Sequence, residues 1–126
     1  MNTPNRIMIL DDDAQIVDVL GLVLSTAGYE AILETSGEDI EEKIKKTKPD
    51  LLIMDIRLLE YDGLKIAHSL KTNAELSNIP IILISARMGD LTQEQIPWTD
   101  VIYESKPFRM QKLLDDITSL LANSSH

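Results

Sequence analysis

Apolar residues follow two alternating rhythms along this chain. Arg6–Leu10, Glu30–Leu33, Asp50–Met54, Ile79–Ile84 and Asp100–Glu104 are short runs bounded by turn-forming or acidic residues, which predicts strands. Asp50–Met54, with Leu51, Leu52, Ile53 and Met54 in succession, reads as the most deeply buried of them. Between the runs, Ala14–Ala27, Glu38–Lys46, Leu64–Thr72 and Pro107–Ala122 space their apolar residues by three and four, which predicts amphipathic helices. In the last, Met110, Leu113, Leu114, Ile117, Leu120 and Leu121 form one apolar stripe. Gly89–Trp98 is polar and contains Pro97, so a helix there is expected to be short or irregular. Asp12 or Asp13 can cap the first helix, and Gly28 stands where helices often end.

Strand followed by helix from one end to the other predicts one parallel sheet with helices on both faces, an α/β doubly wound fold. No internal repeat, low-complexity segment or linker interrupts the pattern, so residues 1–126 are expected to form a single domain. In such sheets ligands bind outside the carboxyl ends of the strands. Those ends carry Asp11 and Asp12 after the first strand, Asp55 after the third, Ser85 after the fourth and Lys106 after the fifth. Three converging carboxylates call for a cation. Carboxylates and waters suit Mg²⁺, with Mn²⁺ able to substitute, whereas zinc favours His or Cys ligands that this edge lacks. Asp55 is then a carboxylate able to attack phosphorus, with Lys106 and Ser85 placed to meet phosphate oxygens.

Composition narrows the partners. A chain that is 44% hydrophobic and 26% charged is globular rather than a disordered tail. The formal net charge of −9 opposes direct nucleic-acid binding, and Lys43, Lys45, Lys46 and Lys48 are interleaved with Glu41 and Glu42 on a solvated face. No apolar stretch is long enough for a bilayer, the first residues lack a signal-like apolar core, and there is no cysteine. A cytoplasmic location away from membranes is the expectation.

Ile9-Leu10-Asp11-Asp12-Asp13, Pro49–Asp55, Asp62-Gly63, Pro80–Ala86 and Lys106-Pro107-Phe108 stand in an order and spacing that resembles the response-regulator receiver family of two-component signalling, over Ile7 to about Leu121. The resemblance implies a flavodoxin-like (βα)5 fold with strand order 2-1-3-4-5. It implies a signalling switch rather than an enzyme, in which Asp55 accepts a phosphoryl group from a histidine kinase or phosphotransfer protein with Mg²⁺ present. Asp12, Asp55 and the backbone carbonyl of Arg57 look like direct metal ligands, with Asp11 acting through water. Ser85 and Tyr103 resemble the pair that relays the change to a downstream effector, Arg57, Ala86 and Arg87 flank the pocket, and Lys106–Pro107 looks like the family's cis peptide. A monomer, or a weak dimer formed on phosphorylation, is implied.

Departures from the family pattern are local. Leu59-Glu60 replaces a common Pro-Gly pair, Thr99-Asp100 replaces the usual Gly-Ala, and the Ser85–Lys106 interval is about one residue short. Two other readings remain at this stage. Asp11-x-Asp13 superficially fits the nucleophile motif of haloacid-dehalogenase-like phosphatases, which would make Asp11 the labelled residue. A binding module that keeps the fold without phosphate chemistry is the other.

Overall fold

The computed structural model describes residues 4–86 and 95–124. They form strands β1 (Arg6–Leu10), β2 (Glu30–Glu34), β3 (Leu51–Asp55), β4 (Ile81–Ser85) and β5 (Val101–Ser105), and helices α1 (Ala14–Thr26), α2 (Ile40–Thr47), α3 (Gly63–Thr72) and α4 (Met110–Ser124). All pairings are parallel and the order is β2-β1-β3-β4-β5, the doubly wound, flavodoxin-like arrangement expected. The irregular helix expected within Gly89–Trp98 falls largely on residues 87–94, outside the described residues, and residues 95–98 are not helical.

The strands read as unbroken apolar runs because each is covered on both faces. Side chains alternate between two cores. Met8, Leu10, Leu52, Met54, Ile81 and Leu83 point toward α2 and α3, where Ile40, Ile44, Ala67 and Leu70 are buried. Ile7, Ile9, Leu51, Ile53, Ile82 and Ile84 point toward α1 and α4, meeting Val17, Leu20, Leu24, Leu113, Ile117 and Leu120.

Most element boundaries differ from the sequence expectation by a residue or more, and three of the larger shifts have a local reason. α2 starts at Ile40 rather than Glu38 because Asp39 takes a left-handed conformation, with φ 54°. β4 starts at Ile81 because Pro80 has no N–H for the ladder, although its carbonyl still accepts Leu52 N–H at 3.0 Å. The last helix starts at Met110 rather than Pro107 because Phe108 packs among the side chains between the sheet, α1 and α4; the Lys106–Pro107 bond is cis, as expected.

Register delivers the strand ends to one edge. Leu10 pairs with Met54, Asp55 with Ile84, and Ser85 with Ser105. The residues that follow these pairs therefore emerge side by side.

Two charged groups brace the sheet in ways the sequence pattern did not suggest. Lys71, near the end of α3, has a side chain only 3% exposed. Its ammonium donates to the carbonyls of Ser77 at 3.1 Å and Ile79 at 2.8 Å and to Asp100 Oδ2 at 2.6 Å. It thereby ties α3 to the starts of β4 and β5, and Asp100 supplies the counter-charge. On the other face, Lys112 Nζ donates to Glu104 Oε2 and Asp116 Oδ1, both at 2.7 Å, joining β5 to α4. Burial, followed by the hydrogen bond with Asp116, pushes the Glu104 carboxyl above its ordinary range.

Removing Lys71 leaves two carbonyls and a carboxylate without their shared donor. Lys71→Met is predicted to lose about 3 kcal/mol of unfolding free energy in urea titrations near neutral pH, and a loss under about 1 kcal/mol would contradict the bracing role.

Candidate functional site

Asp55 closes β3 and is buried, 8% exposed, because the strand that carries it lies between β1 and β4 in the middle of the sheet. Its Oδ2 accepts Lys106 Nζ at 2.9 Å and its Oδ1 accepts the backbone N–H of Arg57 at 2.8 Å. Asp11, the first residue after β1, is 4% exposed. Its Oδ2 accepts the same Lys106 Nζ at 3.4 Å, while its Oδ1 accepts Asp13 N–H at 2.9 Å. Lys106 is itself fixed one residue past β5, where its N–H donates to the Ser85 carbonyl at 2.7 Å.

The three adjacent aspartates divide their work. Asp13 caps α1, accepting from Gln15 N–H at 3.0 Å and Ile16 N–H at 3.4 Å. Asp11 faces Lys106. Asp12 is half-buried and lines a cleft of about 140 Å³ with Thr35, Ser36, Gly37 and Leu58–Tyr61.

The electrostatics follow from two buried carboxylates meeting one ammonium. Burial lifts Asp11 above its ordinary pKa; the Asp13 N–H and Lys106 pull it back, and the charge of Asp55 adds to the lift. Burial also presses Lys106 downward. The hydrogen bond to Asp55 and the charges of Asp11 and Asp55 outweigh it, leaving Lys106 above an ordinary lysine. One positive charge does not balance the two.

Among the described residues no three His, Cys, Asp or Glu side chains gather closely enough to hold a metal by themselves. Asp11 and Asp55 come together on Lys106, and Asp12 stands in the cleft beside them. That donor set still fits Mg²⁺, which keeps several waters and binds through one or two carboxylates, all oxygen.

The β3–α3 connection shows what replaces the Pro-Gly pair. Arg57 and Asp62 face each other across an antiparallel bridge whose bonds run from Gly63 N–H to the Ile56 carbonyl at 2.7 Å and from Leu58 N–H to the Tyr61 carbonyl at 3.2 Å. Asp62 caps α3 through Leu64 N–H at 2.9 Å and Lys65 N–H at 3.4 Å. Gly63 is required on steric grounds, since a Cβ there would lie 2.3 Å from the Asp55 carbonyl oxygen.

Ser85 is fully buried at the end of β4, and Ala86 beyond it is exposed. Tyr103 is partly buried against the core that includes α2 and α3. The Arg57 side chain is exposed and lines a surface groove with Asp62 and Gln95. Arg87 lies outside the described residues.

A family model described as the response regulator receiver domain matches residues 7–118. The chain is 36% identical over 117 residues to the uncharacterized transcriptional regulatory protein YvcP of Bacillus subtilis, covering 92% of this chain and 48% of that protein. It is 30% identical over 122 residues to the polar-differentiation response regulator DivK of Brucella anthropi, covering 96% of this chain and 99% of that protein. A solved structure of a candidate response regulator from Chloroflexus aurantiacus superposes with a TM-score of 0.84 at 32% identity, covering 95% of this chain and 99% of that one. The chain thus spans about half the length of YvcP and nearly all of DivK.

A raised carboxylate pKa means that the charged form opposes folding. For Asp11 that opposition is complete above its folded pKa and fades as pH falls toward the ordinary aspartate value of 3.8. Asp11→Asn is therefore predicted to stabilise the chain in chelator at about pH 7, with the gain shrinking toward about pH 4. Urea titrations of both proteins at the two pH values check this; a gain that grows on acidification would contradict it.

Proposed function

This chain belongs to the response regulator receiver family of two-component systems, and on that premise we propose that Asp55 takes a phosphoryl group from a histidine kinase or phosphotransfer protein. The observation that carries the reading is Lys106 Nζ standing between Asp55 and Asp11, on side chains from three different strand ends. In the reaction an Asp55 carboxylate oxygen forms the new bond to phosphorus as the bond from phosphorus to the donor's imidazole nitrogen breaks, and the electron pair leaves with the imidazole. Lys106 exchanges its contact with Asp55 Oδ2 for one with a phosphoryl oxygen, and the Ser85 hydroxyl donates to another. Asp12, Asp55 and the Arg57 carbonyl would hold Mg²⁺, or Mn²⁺ in its place, with Asp11 acting through water. The cation would supply charge neutralisation between the carboxylates and the incoming phosphoryl group. A buried Asp55 suits this chemistry because water has little access to the acyl phosphate once it forms.

Receiver domains of this family are generally signalling elements rather than true enzymes, and we read residues 1–126 as one such domain. Ser85 and Tyr103 would relay the charge change at Asp55 to the surface around β4 and β5, for an effector of unspecified identity. The net charge of −9 argues against direct nucleic-acid contact by this chain. No described helix is long and apolar enough to cross a membrane, and we place the reaction in the cytoplasm with a monomer or a weak phosphorylation-dependent dimer.

Incubation with Mg²⁺ and acetyl phosphate, followed by intact-mass and peptide measurement, tests the assignment. One added phosphoryl group on Asp55, absent in Asp55→Asn, is expected. A label on Asp11 would favour the hydrolase reading, and no label at all would favour a binding module.

Arg57 bears on how long the phosphoryl group persists. Its exposed side chain follows the acceptor by two residues, and we propose that it flanks the path of a hydrolytic water. Arg57→Ala is expected to shorten the phosphoryl lifetime in a chase after donor removal, and an unchanged lifetime would remove the side chain from the account.

A further inference from the structure

Leu59 and Glu60 give the β3–α3 connection neither the fixed φ of proline nor the freedom of glycine. Leu59 is 87% exposed and contributes little packing. The loop is instead held at two places. Leu58, 8% exposed, anchors its near side in the core that includes α2 and α3. Its far side is held by Tyr61, whose ring sits on Gly37. A Cβ built at Gly37 would lie 2.9 Å from Tyr61 Cγ and 3.1 Å from both Cβ and Cδ2.

Gly37 is a firm seat. Glu38 N–H donates to Ser36 Oγ at 3.1 Å, and Ile40 N–H donates to the Gly37 carbonyl at 3.2 Å, so the β2–α2 connection is braced by its own turn and by the first turn of α2. Tyr61 transmits that position along its own backbone. Its carbonyl accepts Leu58 N–H at 3.2 Å, and its neighbour Asp62 bridges Arg57. The cleft enclosed between the two connections contains Asp12.

We infer that Tyr61 is a positioning residue for the cation: seated on Gly37, it fixes the Arg57–Asp62 turn and so sets where the Arg57 carbonyl stands relative to Asp12 and Asp55. This rests on the metal site proposed above. The contact is steric and needs the ring but not the phenol, so Tyr61→Phe should preserve it and Tyr61→Ala should abolish it. Gly37→Ala attacks the same contact from the opposite side, and the Gly37 backbone conformation is open to alanine because its φ is not positive.

Calorimetric Mg²⁺ titration of the full chain is the test, read as a dissociation constant and paired with thermal melts in chelator. Tyr61→Ala and Gly37→Ala are each expected to weaken Mg²⁺ by about tenfold, with Tyr61→Phe close to wild type. In the Gly37→Ala/Tyr61→Ala double variant the two losses should not add, because the first removes what the second disturbs. Wild-type affinity in Tyr61→Ala, or additive losses in the double variant, would overturn the inference while leaving the site intact. If instead wild type and Asp12→Asn bind Mg²⁺ alike, the metal site itself fails and the inference falls with it. Should Tyr61→Ala fail to fold, Gly37→Ala and Tyr61→Phe still decide the matter, since only a steric contact separates them in affinity.

Discussion

Lys106 stands between carboxylates from β1 and β3 and can neutralise only one of them, so the edge of the sheet carries negative charge held out of water. Asp11 shows the cost in its raised pKa, where burial outweighs the help of Lys106 and the Asp13 amide. A second cation would relieve that imbalance, and a phosphoryl group would find a ready positive partner in Lys106. On the proposed function, the ion pair that holds the resting site together is the contact that would be exchanged when the site is used. A buried pair of this kind contributes modestly to stability, because desolvation offsets the attraction. Its placement at the ligand edge of the sheet makes a functional reason for keeping it the better one.

Geometry at that edge depends on elements far from it. Parallel register sets Asp11, Asp55 and Lys106 side by side, and the two apolar cores hold the register because a one-residue slip would turn each strand inside out. Gly63 brings α3 so close to the Asp55 carbonyl that no side chain fits between them. Lys71 and Asp100 pin the starts of β4 and β5 at the opposite end. The carboxylates are exact in position because their strands have no room to shift.

Most of the fold was legible in the sequence because buried parallel strands are unbroken apolar runs and their helices have a clear period. The candidate site was legible for a related reason: strand ends converge, so Asp11, Asp55, Ser85 and Lys106 could be placed together without knowing any contact. What escaped was decided by backbone or by long-range packing. The left-handed turn at Asp39 delays α2, and the packing of Phe108 delays α4. Nothing local in the sequence marks Lys71, because only the fold brings two carbonyls and Asp100 around it. Asp116, inside an apolar stripe, gave no sign of its pairing with Lys112 and Glu104. Tyr61 on Gly37 joins two loops whose approach exists only in the folded chain. Asp12 lines the cleft between the β2–α2 and β3–α3 connections, loops whose approach the sequence does not reveal.

On the proposed function, Asp12, Asp55 and Arg57 would hold a cation while Lys106 and the end of β4 receive the phosphoryl group. Backbone amide spectra of the isotope-labelled chain, recorded on adding Mg²⁺ and then beryllofluoride as a phosphoryl mimic, test it most directly. Saturable Mg²⁺ shifts centred on Asp12 and Asp55–Arg57 are expected, followed by further shifts at Ser85, Ala86 and Lys106 on adding the mimic. Shifts spread over the acidic surface of α2, or none at Asp55 with either addition, would contradict it.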